Sequence, residues 1–104
     1  LLAVTDPDAT ALIARTQGGC GIAGLASVLG DGHPLKILTL DGLSPSTALL
    51  ASGTYPLAKD IHIVVTDKAT PSVRAFIDFL YSKPGRALAQ KAGVWVTASS
   101  APPR

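Results

Sequence analysis

The chain holds one cysteine, no glutamate and no long apolar run, and each shortage closes off a class of function. A lone thiol, Cys20, permits no disulfide within the chain. Flanked by glycine and beside an apolar run, it is expected as a buried small hydrophobe rather than a nucleophile. All seven acidic residues are aspartates, so a glutamate general base is excluded by inventory. No uninterrupted apolar stretch has the length a membrane helix needs. The nine lysines and arginines are scattered and leave a net charge of +2, without the clustered footprint of a nucleic-acid binder, so no nucleic-acid partner is expected. His33 and His62 stand far apart with no second ligand at close spacing, and no metal site is assigned. No Gly-x-Ser-x-Gly elbow is present; Ser27, Ser44, Ser46 and Ser52 sit where caps and turns want hydroxyls, so no catalytic residue and no cofactor is assigned. Gly19, Gly21 and Gly24 follow a helix and enter a predicted strand, the wrong context for a dinucleotide fingerprint.

What is present is apolar: 47% of the 104 residues are hydrophobic and only 15% charged, which argues for a packed globule of one domain at most. Asp6-Pro7 reads as a helix start with Asp6 as cap, and Ala9, Leu12, Ile13 and Thr16 give that helix an inner face. Cys20–Ser27 reads as a strand weakened by glycines. Gly30–Pro34 is a turn, Leu35–Leu40 a strand, and Asp41-Gly42 a second turn. Ser44-Pro45 starts a short helix that Ser52-Gly53 closes. After Tyr55-Pro56 comes an apolar strand, Ile61–Thr66. Thr70-Pro71 opens a helix whose Val73, Phe76, Ile77 and Leu80 fall at i, i+3, i+4, i+7. This face is expected to bury against Ile63 and Val65. Ser82 caps a last helix with Leu88 and Ala92 inward, Gly93 takes a left-handed C-terminal position, and Val94–Thr97 is a strand. The order of elements argues for an α/β class.

The ordered series Gly21–Leu25, Leu40–Ser46, Ser52-Gly53, Tyr55–Leu57, Ile61–Thr66, Ala75–Leu80, Ser82 with Gly85, and Lys91–Val94 resembles the C-terminal part of phosphate-type periplasmic solute-binding proteins. The likeness runs from about Ala11 to Thr97. One departure stands out: that family usually reads Ser-Pro-Glu-Gly where this chain has Ser82-Lys83-Pro84-Gly85. The resemblance implies a partial, C-terminal segment of a periplasmic-binding-protein-like α/β fold, with a mixed sheet and flanking helices. Residues 1–54 would derive from the second lobe, 55–97 would hold the crossover and C-terminal block, and 98–104 would be a tail. Tyr55 and Pro56 would carry the chain back between lobes. It further implies a solute-binding component for phosphate or a related oxyanion, exported to the periplasm or beyond by a leader outside these residues, working with the membrane subunits of an ABC transporter and not as an enzyme. The rival is a stand-alone sensor or interaction module of the same fold without a small ligand.

Free amides and the dipole at helix starts can bind oxyanions without bulk positive charge. Asp6 would repel an anion, which leaves the starts marked by Ser44, Ser46 and Thr70 as the candidate ligand residues. In the family resembled, the ligand is held mainly by motifs that fall upstream of this chain. Ser52-Gly53-Thr54 matches the approach to the crossover there, so no ligand role is carried onto it. The chain is therefore expected to supply scaffold rather than pocket. Apolar faces left uncovered, and strand edges at Cys20–Leu25 and Ile61–Thr66 without neighbours, point to a homodimer, with the block from Ile61 onward exchanged at Tyr55-Pro56.

Overall fold

A computed structural model describes residues 2–97 of the chain. Five helices follow one another: α1 Asp6–Arg15, α2 Leu25–Gly30, α3 Thr47–Ala51, α4 Pro71–Tyr81 and α5 Lys83–Lys91. The tail read at 98–104 lies outside the described residues.

Four of the five starts carry a hydroxyl cap, which satisfies amides that a first turn leaves without partners. Thr5, not Asp6, caps α1 by accepting from the Asp8 amide at 3.2 Å, and this leaves the Asp6 carboxylate outside the cap. Thr70 caps α4 with Pro71 in the first turn. Ser82 caps α5, accepting from the Gly85 amide at 3.2 Å while its own hydroxyl donates to the Phe79 carbonyl that ends α4. The displaced proline, Pro84, leaves this start in place, because it still falls in the first turn, where amides have no helical partner. α3 begins two residues later than the Ser44-Pro45 signal indicates, with Ser46 accepting from the Leu49 amide at 3.2 Å. Cys20–Ser27 is corrected in part: its last residues enter α2, which starts at Gly24 without any side-chain cap. Leu25, Val28 and Leu29 have helical spacing, and Gly24 interrupts the strand pattern just before them.

The Asp41-Gly42 turn is a tight hairpin turn, with φ of 50° and 78°. Leu40 and Leu43 exchange both backbone hydrogen bonds at 2.9 Å across it. The ladder goes no further. The next hydrogen-bonded pair would need an amide from residue 45, and Pro45 has none.

The mixed sheet expected from sequence is not formed among the described residues. Residues 20–24, 35–39, 57–66 and 94–97 carry no ladder, and the Leu40–Leu43 bridge stands alone. A strand satisfies its backbone only through a neighbour, and these segments find none among the described residues. The expected core fails with the sheet: no hydrophobic residue among the described residues is fully buried. Phe76 is 61% exposed, and Ile63 and Val65 are exposed as well, so the α4 face does not cover the 61–66 segment. In α5 the inward side is Gly85, Arg86 and Ala89; Leu88, expected inside, is 59% exposed. Cys20 is free and exposed, contrary to its expected burial; Gly21 and Ile22 beside it are exposed as well, and packing begins only where the run enters α2. The Cα radius of gyration, 16.0 Å, exceeds the about 13 Å of a compact domain of this length.

Three local contacts give the chain its shape. α1 and α2 pack together, and the fully buried Thr10 hydroxyl lies 2.7 Å from the Asp31 carboxylate at the end of α2 and 3.0 Å from the Pro7 carbonyl. The charged acceptor takes the stronger share of that proton. α5 returns onto α2 through Gly93, at φ 91°, where a Cβ would stand 3.1–3.2 Å from Leu25, Ala26 and Leu29. α4 and α5 meet at a sharp corner in which a Cβ on Gly85 would lie only 1.9 Å from the Phe79 carbonyl oxygen.

This corner sets two effects of Gly85→Ala against each other. Alanine favours helix by about 1 kcal/mol, whereas a clash with fixed backbone forces shifts of about 1–3 kcal/mol that no rotamer relieves. Gly85→Ala is therefore expected to lower hydrogen-exchange protection at the first amides of α5, with Lys83→Ala leaving it unchanged; raised protection would show that the corner has room.

Candidate functional site

The three candidate ligand hydroxyls stand in different local settings. Ser44 caps no helix, as α3 starts beyond it. Ser46 is engaged by the Leu49 amide, and α3, at five residues, is too short to present much of a dipole. Thr70 lies at the start of the eleven-residue α4, accepting from the Val73 amide at 3.5 Å, a long contact. The principal helix packings are α4 with α5 and α1 with α2.

Tyr55 and Pro56 form a bend between α3 and the straight segment 57–66. The bend is fastened to the helix before it: the amides of Thr54 and Tyr55 both donate to the Leu49 carbonyl, at 3.0 and 3.2 Å, with Gly53 left-handed at φ 71°. Ser52-Gly53 thus ends α3 as its sequence indicates.

One charged contact was not legible in the sequence. Lys59, three residues past Pro56, donates to the Asp6 carboxylate at 2.7 Å. The same carboxylate oxygen stands 3.5 Å from where a Cβ on Gly24 would sit, which places it at the uncapped start of α2 as well as within the first turn of α1. Fifty-three residues separate Asp6 from Lys59, and no local rule pairs groups at such a distance. With side chains 66% and 43% exposed, the pair contributes well under about 1 kcal/mol in salt. Its effect is positional: it draws the segment after the bend toward α1.

Two open depressions of about 270 and 300 Å³ lie along α1, and neither is lined by Ser44, Ser46, Thr70, Tyr55 or Pro56. Among the described residues no cluster of His, Cys or Asp side chains has the makings of a metal site, and no helix is long and apolar enough to cross a membrane.

The decisive observation comes from sequence comparison, where the PBP superfamily domain matches residues 3–84. The chain belongs to the PBP superfamily. Its relatives include two proteins named phosphate-binding protein PstS 2, from Streptococcus agalactiae serotype V and serotype III, each 27% identical over 82 residues. The alignment covers 78% of this PBP-superfamily chain but 27% of each relative, so the chain spans well under half the length of the curated relatives it matches. No solved structure matches. The superfamily match takes in α1 to α4 and the bend at Tyr55-Pro56, and ends at Pro84 in the first turn of α5. The part of the resemblance read at Lys91–Val94 lies beyond it.

Since Ser46 and Thr70 serve as caps, their removal is expected to act on helices. Thr70→Ala and Ser46→Ala should each cost about 1 kcal/mol of local helix stability, read as faster amide exchange at Val73 and Leu49. Calorimetric titration of inorganic phosphate into the chain should give no saturable heat in the micromolar range; a micromolar isotherm abolished by Thr70→Ala would make that helix start a binding site.

Proposed function

We propose that this chain is a C-terminal segment of a solute-binding protein for phosphate or a related oxyanion, one that delivers its ligand to an ABC transporter outside the cytoplasmic membrane. The observation that carries the reading is the 27% identity, over 82 residues, to proteins named for phosphate binding. The structure is consistent with a scaffold role. Its elements are five capped or glycine-started helices and several straight apolar segments whose backbone groups need strands from elsewhere. Ser46 and Thr70 are occupied as caps, and in this reading the chain lends the binding protein its shape rather than its pocket.

In this reading Tyr55 and Pro56 are the crossover between lobes. Proline fixes its own φ and holds the preceding residue extended, while the Leu49 carbonyl anchors the two residues before it. A crossover with those restraints bends at a defined place. The Lys59–Asp6 pair joins the segment beyond it to the first turn of α1.

A chimera provides the test. Residues 3–84 would replace the aligned segment of a Streptococcus agalactiae PstS 2 protein, and phosphate affinity would be measured by calorimetry alongside a thermal melt. A scaffold segment should leave the dissociation constant within about tenfold of the parent, about 1.4 kcal/mol. A chimera that melts cooperatively at the parent's temperature yet has lost phosphate binding would show that this segment belongs to another kind of protein.

A further inference from the structure

We propose that Asp41-Gly42, at the tip of the hairpin turn, is a site of spontaneous covalent modification, where the Gly42 backbone nitrogen closes on the Asp41 side chain to form a cyclic imide that opens to an isoaspartyl linkage. The seven acidic residues are all aspartates, and only Asp31 and Asp41 are followed by glycine. Elsewhere the next residue carries a Cβ that crowds the approach or, after Asp6, is a proline with no N–H to lose. Sequence leaves two sites open, and the structure separates them.

At Asp31 the side chain is engaged. Its carboxylate accepts the buried Thr10 hydroxyl at 2.7 Å, and its amide donates to the Ser27 carbonyl in α2 at 2.9 Å. Turning that carboxyl toward the Gly32 nitrogen would break the bond that joins α1 to the end of α2. Asp41 has no such tie. Neither its side chain nor the Gly42 nitrogen takes part in a hydrogen bond or ion pair among the described residues, and both residues are exposed. The space beside Gly42 is open, since even a Cβ there would meet nothing within 4 Å. Asp41 is also the one non-glycine among the described residues with positive φ, at 50°, a conformation L residues adopt reluctantly. The turn gives way easily. Leu40 and Leu43 share two backbone hydrogen bonds and Pro45 stops the ladder there, so reorienting residues 41 and 42 disturbs that bridge and nothing beyond it. Because the bridge closes within four residues, no distant part of a longer protein is needed to form it.

The chemistry balances with water alone. The Gly42 nitrogen forms a bond to Asp41 Cγ, the Cγ–OH bond breaks, and the hydroxyl leaves with the amide proton as water. Water then adds back to one of the two ring carbonyls. Addition at Cγ breaks the new bond and restores aspartate. Addition at the backbone carbonyl carbon breaks the original peptide bond, frees that carbon as a carboxylate and leaves the main chain running through Cβ and Cγ. The product has an extra main-chain atom between Leu40 and Leu43, which a two-residue turn of fixed geometry does not accommodate.

The test is to hold the chain for weeks at physiological temperature and near-neutral pH, native and in urea, and to map isoaspartate by digestion and isoaspartyl methyltransferase labelling. In the native chain the product should accumulate several-fold faster at Asp41 than at Asp31, preceded by a species one water lighter in the peptide that holds Asp41-Gly42. In urea, where neither the Thr10 contact nor the turn persists, the two sites should react about equally. Equal accumulation at both sites in the native chain, an excess at Asp31, an excess at Asp41 that persists unchanged in urea, or no isoaspartate at Asp41 overturns the proposal.

Discussion

A helix satisfies its own backbone and a strand does not, and the structure follows from that difference. Each helix closes its hydrogen bonds within a few residues, and most starts have a hydroxyl ready for the free amides. The segments at 20–24, 35–39, 57–66 and 94–97 have no such local remedy. Among the described residues no sheet offers a flat apolar surface for the amphipathic faces of α4 and α5 to cover, and no hydrophobic side chain there is fully buried. What remains are local joints: the Thr10–Asp31 bond, the Gly85 corner and the seat of Gly93 on α2.

Those joints are polar or steric rather than hydrophobic. Thr10 is the only fully buried side chain among the described residues, and it is held by a carboxylate. Gly85 and Gly93 allow close approach by having no side chain, a role that gives proximity without much apolar burial. The Lys59–Asp6 pair is exposed and weak, yet it is the ion pair that links the two sides of the Tyr55-Pro56 bend. A chain assembled this way has defined helices, and it leaves many large apolar side chains exposed.

How much of this was legible in the sequence depended on the range of the interaction. Ser82 and Thr70 as caps, the closure at Ser52-Gly53, the left-handed Gly93 and the Asp41-Gly42 turn are contacts within a few residues, and all were readable. Errors of one or two places arose where neighbouring residues could do the same job: Thr5 instead of Asp6, Ser46 instead of Ser44. α2 was missed because Gly24 and a short apolar run fit a weakened strand as well as a helix start. The burial of Phe76, Leu88 and Cys20 was misjudged because burial depends on what lies opposite, and hydrophobic spacing reports only that something should. The superfamily, by contrast, was recognisable from an ordered series of short pieces, none distinctive alone. Of the candidate hydroxyls, Thr70 was read correctly as a helix-start residue, whereas Ser46 holds the place the sequence reading gave to Ser44.

The straight run beyond Pro56 also has a consequence in time. Ribosomes add residues over seconds, and domains fold as their parts emerge, whereas helices form in about a microsecond. α1 to α3 can therefore be complete before residues 57–66 appear, and that run then waits for a partner that no other described residue supplies. During the wait it offers the exposed apolar side chains and unpaired amides that aggregation and quality control both act on. The longer that stretch stays uncovered, the longer its apolar side chains stand open together with those of Ile22, Phe76 and Leu88.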